Sequence, residues 1–121
     1  MLVERHIVDL VTDSGGAATG YTPEIMGAIL SIVYVKDGGA NPFANGVDVA
    51  ITLDGTGQNV WTESDVNASK AVHPRVVSAT AAGVASTITE VPIVAGRDKV
   101  KIVIAQGGSV KSGRFHVLVG G

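Results

Sequence analysis

Three histidines, His6, His73 and His116, are the first residues that could carry acid–base or metal chemistry. They lie far apart, and none belongs to an H-x-x-x-H pair, the spacing that sets two imidazoles on one helix face. A metal site needs three or four converging donors. His6 and His116 therefore read as surface or pairing residues near the two ends of the chain, where they could meet across a sheet. His73 precedes Pro74, which restricts it to a rigid extended or turn dipeptide.

The carboxylates come next. Glu63 and Asp65 are two residues apart, so on a strand they share a face, and Asp48 and Asp54 flank one alternating segment and its turn. A glycosidase pair must face across a cleft, which spacing alone does not provide, and turn capping and solubility account for these acids. The Asp54 loop could offer oxygen ligands to calcium, but it lacks the acidic spacing of an EF-hand. No serine sits in a G-x-S-x-G elbow. Gly55-Thr56-Gly57 and Gln106-Gly107-Gly108 are not followed by G-K-[ST] and a helix, so they lack the geometry of a phosphate loop. Asn67-Ala68-Ser69 matches a glycosylation sequon by chance, and Trp61, the only tryptophan, reads as a core or interface anchor. The expectation is a protein with no catalytic, cofactor-binding or metal-binding residues, and not an enzyme.

The elements that hold these residues are strands. Val47, Val49, Ile51 and Leu53 alternate with Asp48, Ala50 and Thr52. Val100, Ile102 and Ile104 alternate with Lys99 and Lys101, and Phe115, Val117 and Val119 lie opposite Arg114 and His116. This period of two marks half-buried strands. Ala28–Lys36 (AILSIVYVK) is apolar almost throughout, as befits a central strand covered on both faces. Shorter strands are expected over His6–Thr12, Asn59–Glu63, Arg75–Ala79 and Ile88–Val94. Pro92 lacks a ladder donor, so the last of these belongs at an edge or bulge. Asp-Gly, Asn-Gly and Gly-Gly steps punctuate the segments because these residues tolerate positive φ. Helical signal is confined to a single turn over Ser64–Ala71 and a small-residue stretch over Ala79–Ala85, neither with a sustained 3.6-residue period.

Composition agrees. The 121 residues hold one domain and one core. They are 45% hydrophobic but only 4% aromatic, with 16 glycines, and β-branched residues dominate the apolar set. The expected fold is all-β: a single-domain antiparallel β-sandwich or barrel, jelly-roll-like, with long loops, spanning residues 1–121. The absence of cysteine excludes disulfides, thiolate zinc sites and a cysteine nucleophile. A net charge of −2 without Lys/Arg clusters argues against nucleic acid as a partner. Met1–His6 lacks the basic start and apolar run of a signal peptide, and no stretch is long and apolar enough to span a bilayer, so a soluble protein without a membrane partner is expected.

Two stretches carry a family resemblance. HIVDLVTDSGGAATGYTPEIMGAILSIVYVKDGGANPFANGVDVAITLDGTGQ runs from His6 to Gln58, and VAGRDKVKIVIAQGGSVKSGRFHVLVG runs from Val94 to Gly120. Together they resemble a widespread family of small proteins of tailed bacteriophages and prophages, found among virion-structure genes. The KIVIAQGG…KSG-F-V ending is the most specific part. The resemblance implies a virion component made in the host bacterial cytoplasm, with capsid decoration (cementing of the head shell) the first expectation. A head–tail or tail component is the second. It implies the major capsid protein or other virion proteins as partners, and transfers no catalytic or binding residue. A mean hydropathy of +0.35 is high for so small a domain, which points to apolar surface that meets a partner. A homo-oligomer, trimer or dimer, fits this. A carbohydrate-binding β-sandwich on the virion surface is the alternative from another class, and it would need exposed aromatic platforms.

Overall fold

The computed structural model describes residues 2–121 and folds them into ten strands with no helix among the described residues. These are β1 (Val3–Val11), β2 (Ala18–Tyr21), β3 (Ile25–Lys36), β4 (Asp48–Leu53), β5 (Asn59–Glu63), β6 (Lys70–Val72), β7 (Arg75–Ala79), β8 (Ala85–Asp98), β9 (Val100–Ala105) and β10 (Ser112–Gly120). They form two antiparallel sheets packed face to face, a sandwich rather than a closed barrel. One has six strands in the order β1-β10-β3-β8-β7, with β6 also on β3; the other runs β2-β9-β4-β5.

Alternation in the sequence becomes two-sidedness in the structure. Val49, Ile51 and Leu53 of β4 and Val100, Ile102 and Ile104 of β9 point inward and are buried. Phe115, Val117 and Val119 of β10 close the core from the opposite sheet. Four of the five aromatic residues gather there. Tyr34 stacks between Phe115, with centroids 5.0 Å apart, and Phe43, at 6.0 Å, while Trp61 meets Phe115 edge-on at 6.5 Å. Such contacts add about 0.5–1.5 kcal/mol per pair beyond area burial.

Local chemistry joins the layers where side chains would be too large. The position where a Gly20 Cβ would stand is already taken by Leu10 Cδ2 and lies 2.9 Å from Val8 Cγ1, so only glycine lets β2 approach β1. Gly27, at φ +118°, is equally closed by the Gly120 carbonyl oxygen at 2.7 Å. Two buried threonines are fully used. The Thr12 hydroxyl donates to the Gly108 carbonyl at 2.6 Å and accepts from Lys111 N–H at 2.8 Å. The Thr22 hydroxyl accepts from Val100 N–H at 3.0 Å and donates to the Pro23 carbonyl at 2.8 Å.

β3 is central, as its apolar run predicts, and it is long enough to take two partners on one edge. Ile25–Ile29 pair with the end of β8, and Ile32–Tyr34 pair with β6. β8 starts paired with β7 alone, as a two-stranded arm over Ala85 to Pro92, and joins β3 from Ile93 onward. Pro92 falls where β8 has no neighbour on the β3 side, the edge position its missing N–H demands.

The single helical turn expected over Ser64–Ala71 is replaced by a loop and the short strand β6, whose lysine side chain is held across the sandwich. Ala79–Ala85 forms the turn at the tip of the arm. Neither stretch had an apolar stripe with which a helix could pack.

Candidate interaction face

The two sheets have unlike outer faces. On the four-stranded sheet, Tyr21, Lys101 and Thr52 stand side by side, and Thr19, Val103, Ala50 and Thr62 form the next row. This is the polar-outside pattern of a solvated antiparallel sheet. On the six-stranded sheet, register puts Ile7, His116, Val33 and Ala71 in one row across four strands, and Val3, Gly120, Ala28 and Val94 in another. Between them lie Arg5, Leu118 and Ser31. Val11, Met26 and Val94 remain 62%, 65% and 66% exposed at its margins. β3 is apolar on both faces because its outer residues Val33 and Val35 belong to this surface, which nothing among the described residues covers.

One end of the face is polar. Asp9 and Arg114 are directly opposed in the β1–β10 ladder, and Arg114 donates to both Asp9 oxygens, Nε at 2.6 Å and Nη2 at 3.1 Å. The Arg114 hydrogen bond holds the Asp9 carboxyl below its ordinary pKa, and the guanidinium is raised in return. The pair borders a shallow depression of about 440 Å³ that also meets Val35, Lys36, Asp37 and Ser112. Its polar groups are already occupied. Lys36 Nζ donates to the Asn67 carbonyl at 2.8 Å, and Asp37 accepts from Gly39 N–H at 3.0 Å and from the Ser112 hydroxyl at 3.4 Å. Such a depression can recognise a surface; it holds no serine–histidine contact that would activate a nucleophile.

The residues singled out by type are dispersed. His6 and His116 do lie on paired strands, but offset by one position: His6 is opposite Val117, and His116 is opposite Ile7. Their rings consequently project to opposite faces of the sheet and do not meet. His6 Nε2 is 3.4 Å from Glu4, while His116 Nδ1, at the middle of the apolar outer face, has no hydrogen-bond partner. His73 is exposed before buried Pro74, in the connection between β6 and β7.

Glu63 and Asp65 also separate. Glu63 accepts from Lys70 Nζ at 2.7 and 2.9 Å and from the Trp61 indole N–H at 3.2 Å, a clamp that ties β5 of one sheet to β6 of the other. The Lys70 hydrogen bond, supported by Trp61, lowers the Glu63 pKa. Asp65 sits at φ +57° in the following loop, its N–H 3.4 Å from Asp48. In the loop after β4, Gly55 N–H is bound by Asp98 at 2.8 Å. Among the described residues no three His, Cys, Asp or Glu side chains converge on a common point. Trp61 is buried, as a core anchor should be.

Sequence reasoning did not pick out the Asp9–Arg114 pair. The only signal for it is that both residues occupy outward positions of alternating strands, and their register is set by contacts distant in sequence. Compared with known proteins, the chain matches no family model and no curated sequence.

Proposed function

We propose that this protein is a structural component of a tailed-phage virion, a decoration protein that cements the head shell and binds the major capsid protein or its neighbours without catalysis. The observation that carries the reading is the difference between the two outer faces. One sheet is finished for water, whereas the other presents an apolar surface of the kind that marks protein contact. The resemblance of His6–Gln58 and Val94–Gly120 to virion proteins of tailed phages supplies the biological setting.

A head–tail or tail component would use the same face, so copy number separates the two. A carbohydrate-binding module is less well supported, because Tyr21 is the one exposed aromatic residue among the described residues and Tyr34, Phe43, Trp61 and Phe115 are all in the core. The test is quantitative mass spectrometry of purified particles. Hundreds of copies per particle support shell decoration, and about six or twelve, the symmetry of a neck or tail, move the protein there. Absence from particles overturns the virion reading.

A further inference from the structure

Strand β1 is an open edge without the usual guards. It ends the six-stranded sheet, and its nine residues, Val3–Val11, pair with β10 without a register shift. Edge strands are ordinarily blunted by proline, lysine, bulges or shortness. VERHIVDLV has no proline or lysine, and no bulge interrupts it. The other edges are poorer templates: β2 is four residues long, and register shifts break the pairings of β5 and β7. The end of β1 shows which of its backbone groups are free. Thr12 N–H donates to the Lys111 carbonyl at 2.8 Å, one step beyond the Val11–Ser112 pair. Hydrogen-bonded pairs alternate along an antiparallel ladder, so the even-numbered residues of β1 turn their N–H and C=O towards β10. Val3, Arg5, Ile7, Asp9 and Val11 turn theirs to the unpaired edge.

The same five residues form the outward row of side chains, and their chemistry reads alike from both ends. Val3 and Val11 are exposed, Arg5 and Asp9 are exposed and opposite in charge, and half-exposed Ile7 is the midpoint. Set antiparallel against a second copy with Ile7 on Ile7, the row opposes Val3 to Val11 and Arg5 to Asp9, twice each. Every outward N–H and C=O of the strand is then matched. The outer faces stay on one side only if the copies slide in steps of two residues. One step puts Arg5 opposite Ile7 or Val11, and two steps put Arg5 on Arg5 or Asp9 on Asp9. The centred register alone uses the whole strand and pairs both charges. Arg5 is available for this: it forms no ion pair among the described residues, and its row continues on its own sheet with Leu118 and Ser31. Arg114 reaches each Asp9 oxygen once, which occupies two of a carboxylate's roughly four acceptor sites. Glu4, the remaining charge of the strand, falls on the inward side, 3.4 Å from His6.

We propose that two copies of this chain join β1 to β1, antiparallel about a two-fold axis at Ile7, so that their six-stranded sheets become one. Each Asp9 then lies between Arg114 of its own chain and Arg5 of the second copy. A patch that meets itself makes the isologous interface of a closed dimer. The β7–β8 arm leaves the opposite edge of the sheet and does not obstruct the axis. The pairing goes beyond the functional reading and does not depend on it. It uses the edge of β1, and the outer face offered to the capsid stays open and is doubled across the axis.

The experiment is analytical sedimentation of the full chain, in which the expected species is a dimer. Arg5→Asp and Ile7→Lys alter exposed side chains, so circular dichroism and melting should be unchanged while each raises the dissociation constant at least about tenfold. Asp9→Arg should weaken the dimer as well. An equimolar mixture of Arg5→Asp with Asp9→Arg should associate better than either variant alone, because the mixed dimer restores both charge pairs. Register has its own readout. The chain has no cysteine, and facing Cα atoms of a hydrogen-bonded pair stand about 5.5 Å apart, within disulfide reach. Under mild oxidation Ile7→Cys should cross-link to itself, whereas Arg5→Cys should cross-link only when mixed with Asp9→Cys. A monomeric wild type, a dimer indifferent to both Arg5→Asp and Ile7→Lys, or self-cross-linking of Arg5→Cys overturns the β1 pairing. A monomer found in hundreds of copies per particle would reject the pairing and keep the virion role, and a dimer cross-linked through Ile7→Cys but absent from particles would do the reverse.

Discussion

Ile51 of β4 and Ile102 of β9 stand directly opposite each other in the four-stranded sheet, and neither has any exposed surface. Each is the centre of its strand's inward row. Ile51→Ala and Ile102→Ala should each cost about 2–5 kcal/mol in urea unfolding, as buried large-to-small changes do. As the two residues are paired, the double variant should depart from additivity. Thr52→Ala, on the other side of the same strand, should stay within about 0.5 kcal/mol of wild type. Equal losses at Ile51 and Thr52 would refute the inward assignment of β4.

Gly113 has no room for a methyl group. A Cβ there would fall on Phe43 Cε2 and come within 2.9 Å of Cζ, and Phe43 is stacked on Tyr34 and cannot swing freely. Gly113→Ala should therefore destabilise by about 1–3 kcal/mol, the usual effect of overpacking. Gly38→Ala is the control, since no atom lies within 4 Å of its Cβ position and its φ is not positive. Thermal melts of the two variants should diverge, Gly38→Ala matching or exceeding wild type.

The Tyr34 hydroxyl is buried without a hydrogen-bond partner among the described residues, and burial raises its pKa above the ordinary value of 10.0. A group that ionises later in the folded state than in the unfolded state withdraws stability as pH climbs past the unfolded value and towards the folded one. Wild-type stability should thus decline above about pH 10. Tyr34→Phe removes an orphaned polar atom and retains the ring, so it should melt no lower than wild type at neutral pH and lose less on the alkaline side. A large loss at neutral pH would show that the hydroxyl has a partner in solution.

Glu63 works in the other direction. Its pKa is held down by the Lys70 hydrogen bond, so its contribution is present above the unfolded value and disappears as pH falls through the folded one. Melting temperatures of wild type and Glu63→Gln should differ modestly at neutral pH, because the pair is partly solvated. The gap should close below about pH 4. A gap that persists in strong acid would mean that the clamp acts through packing on Trp61 rather than through charge.

Strands with clean alternation were legible in the sequence. β4, β9 and β10 follow from their apolar periods, and β5 and β7 begin and end at the expected residues. β2 escaped because its four residues include Gly20, whose role is to be absent where Leu10 and Val8 press in. β6 escaped because Lys70-Ala71-Val72 has no pattern of its own and is a strand only by virtue of β3 and the Glu63 clamp. The interaction face was half legible. AILSIVYVK suggested a strand covered on both faces, and it is central but covered on its inner face alone, with Val35 40% exposed on the outer one; which residues stand beside it there depends on register. A one-residue offset puts His116 outside and His6 inside, and no local signal fixes that choice.

The position of β10 has a consequence for how the molecule is made. Ser112–Gly120 lies between β1 and β3, so nine strands emerge from the ribosome before the one that bridges them exists. Until it arrives, β1 has no ladder partner, and β3 offers an open edge and an apolar surface to whatever is nearby. Closing the sheet joins residues more than a hundred positions apart, such as Val3 and Gly120, a slow step for a chain of this topology. Productive folding is therefore a late, whole-chain event. The interval before it is when the nascent protein most needs protection from aggregation, and a substitution that weakens β10 should lower the yield of folded protein more than its effect on the finished molecule would suggest.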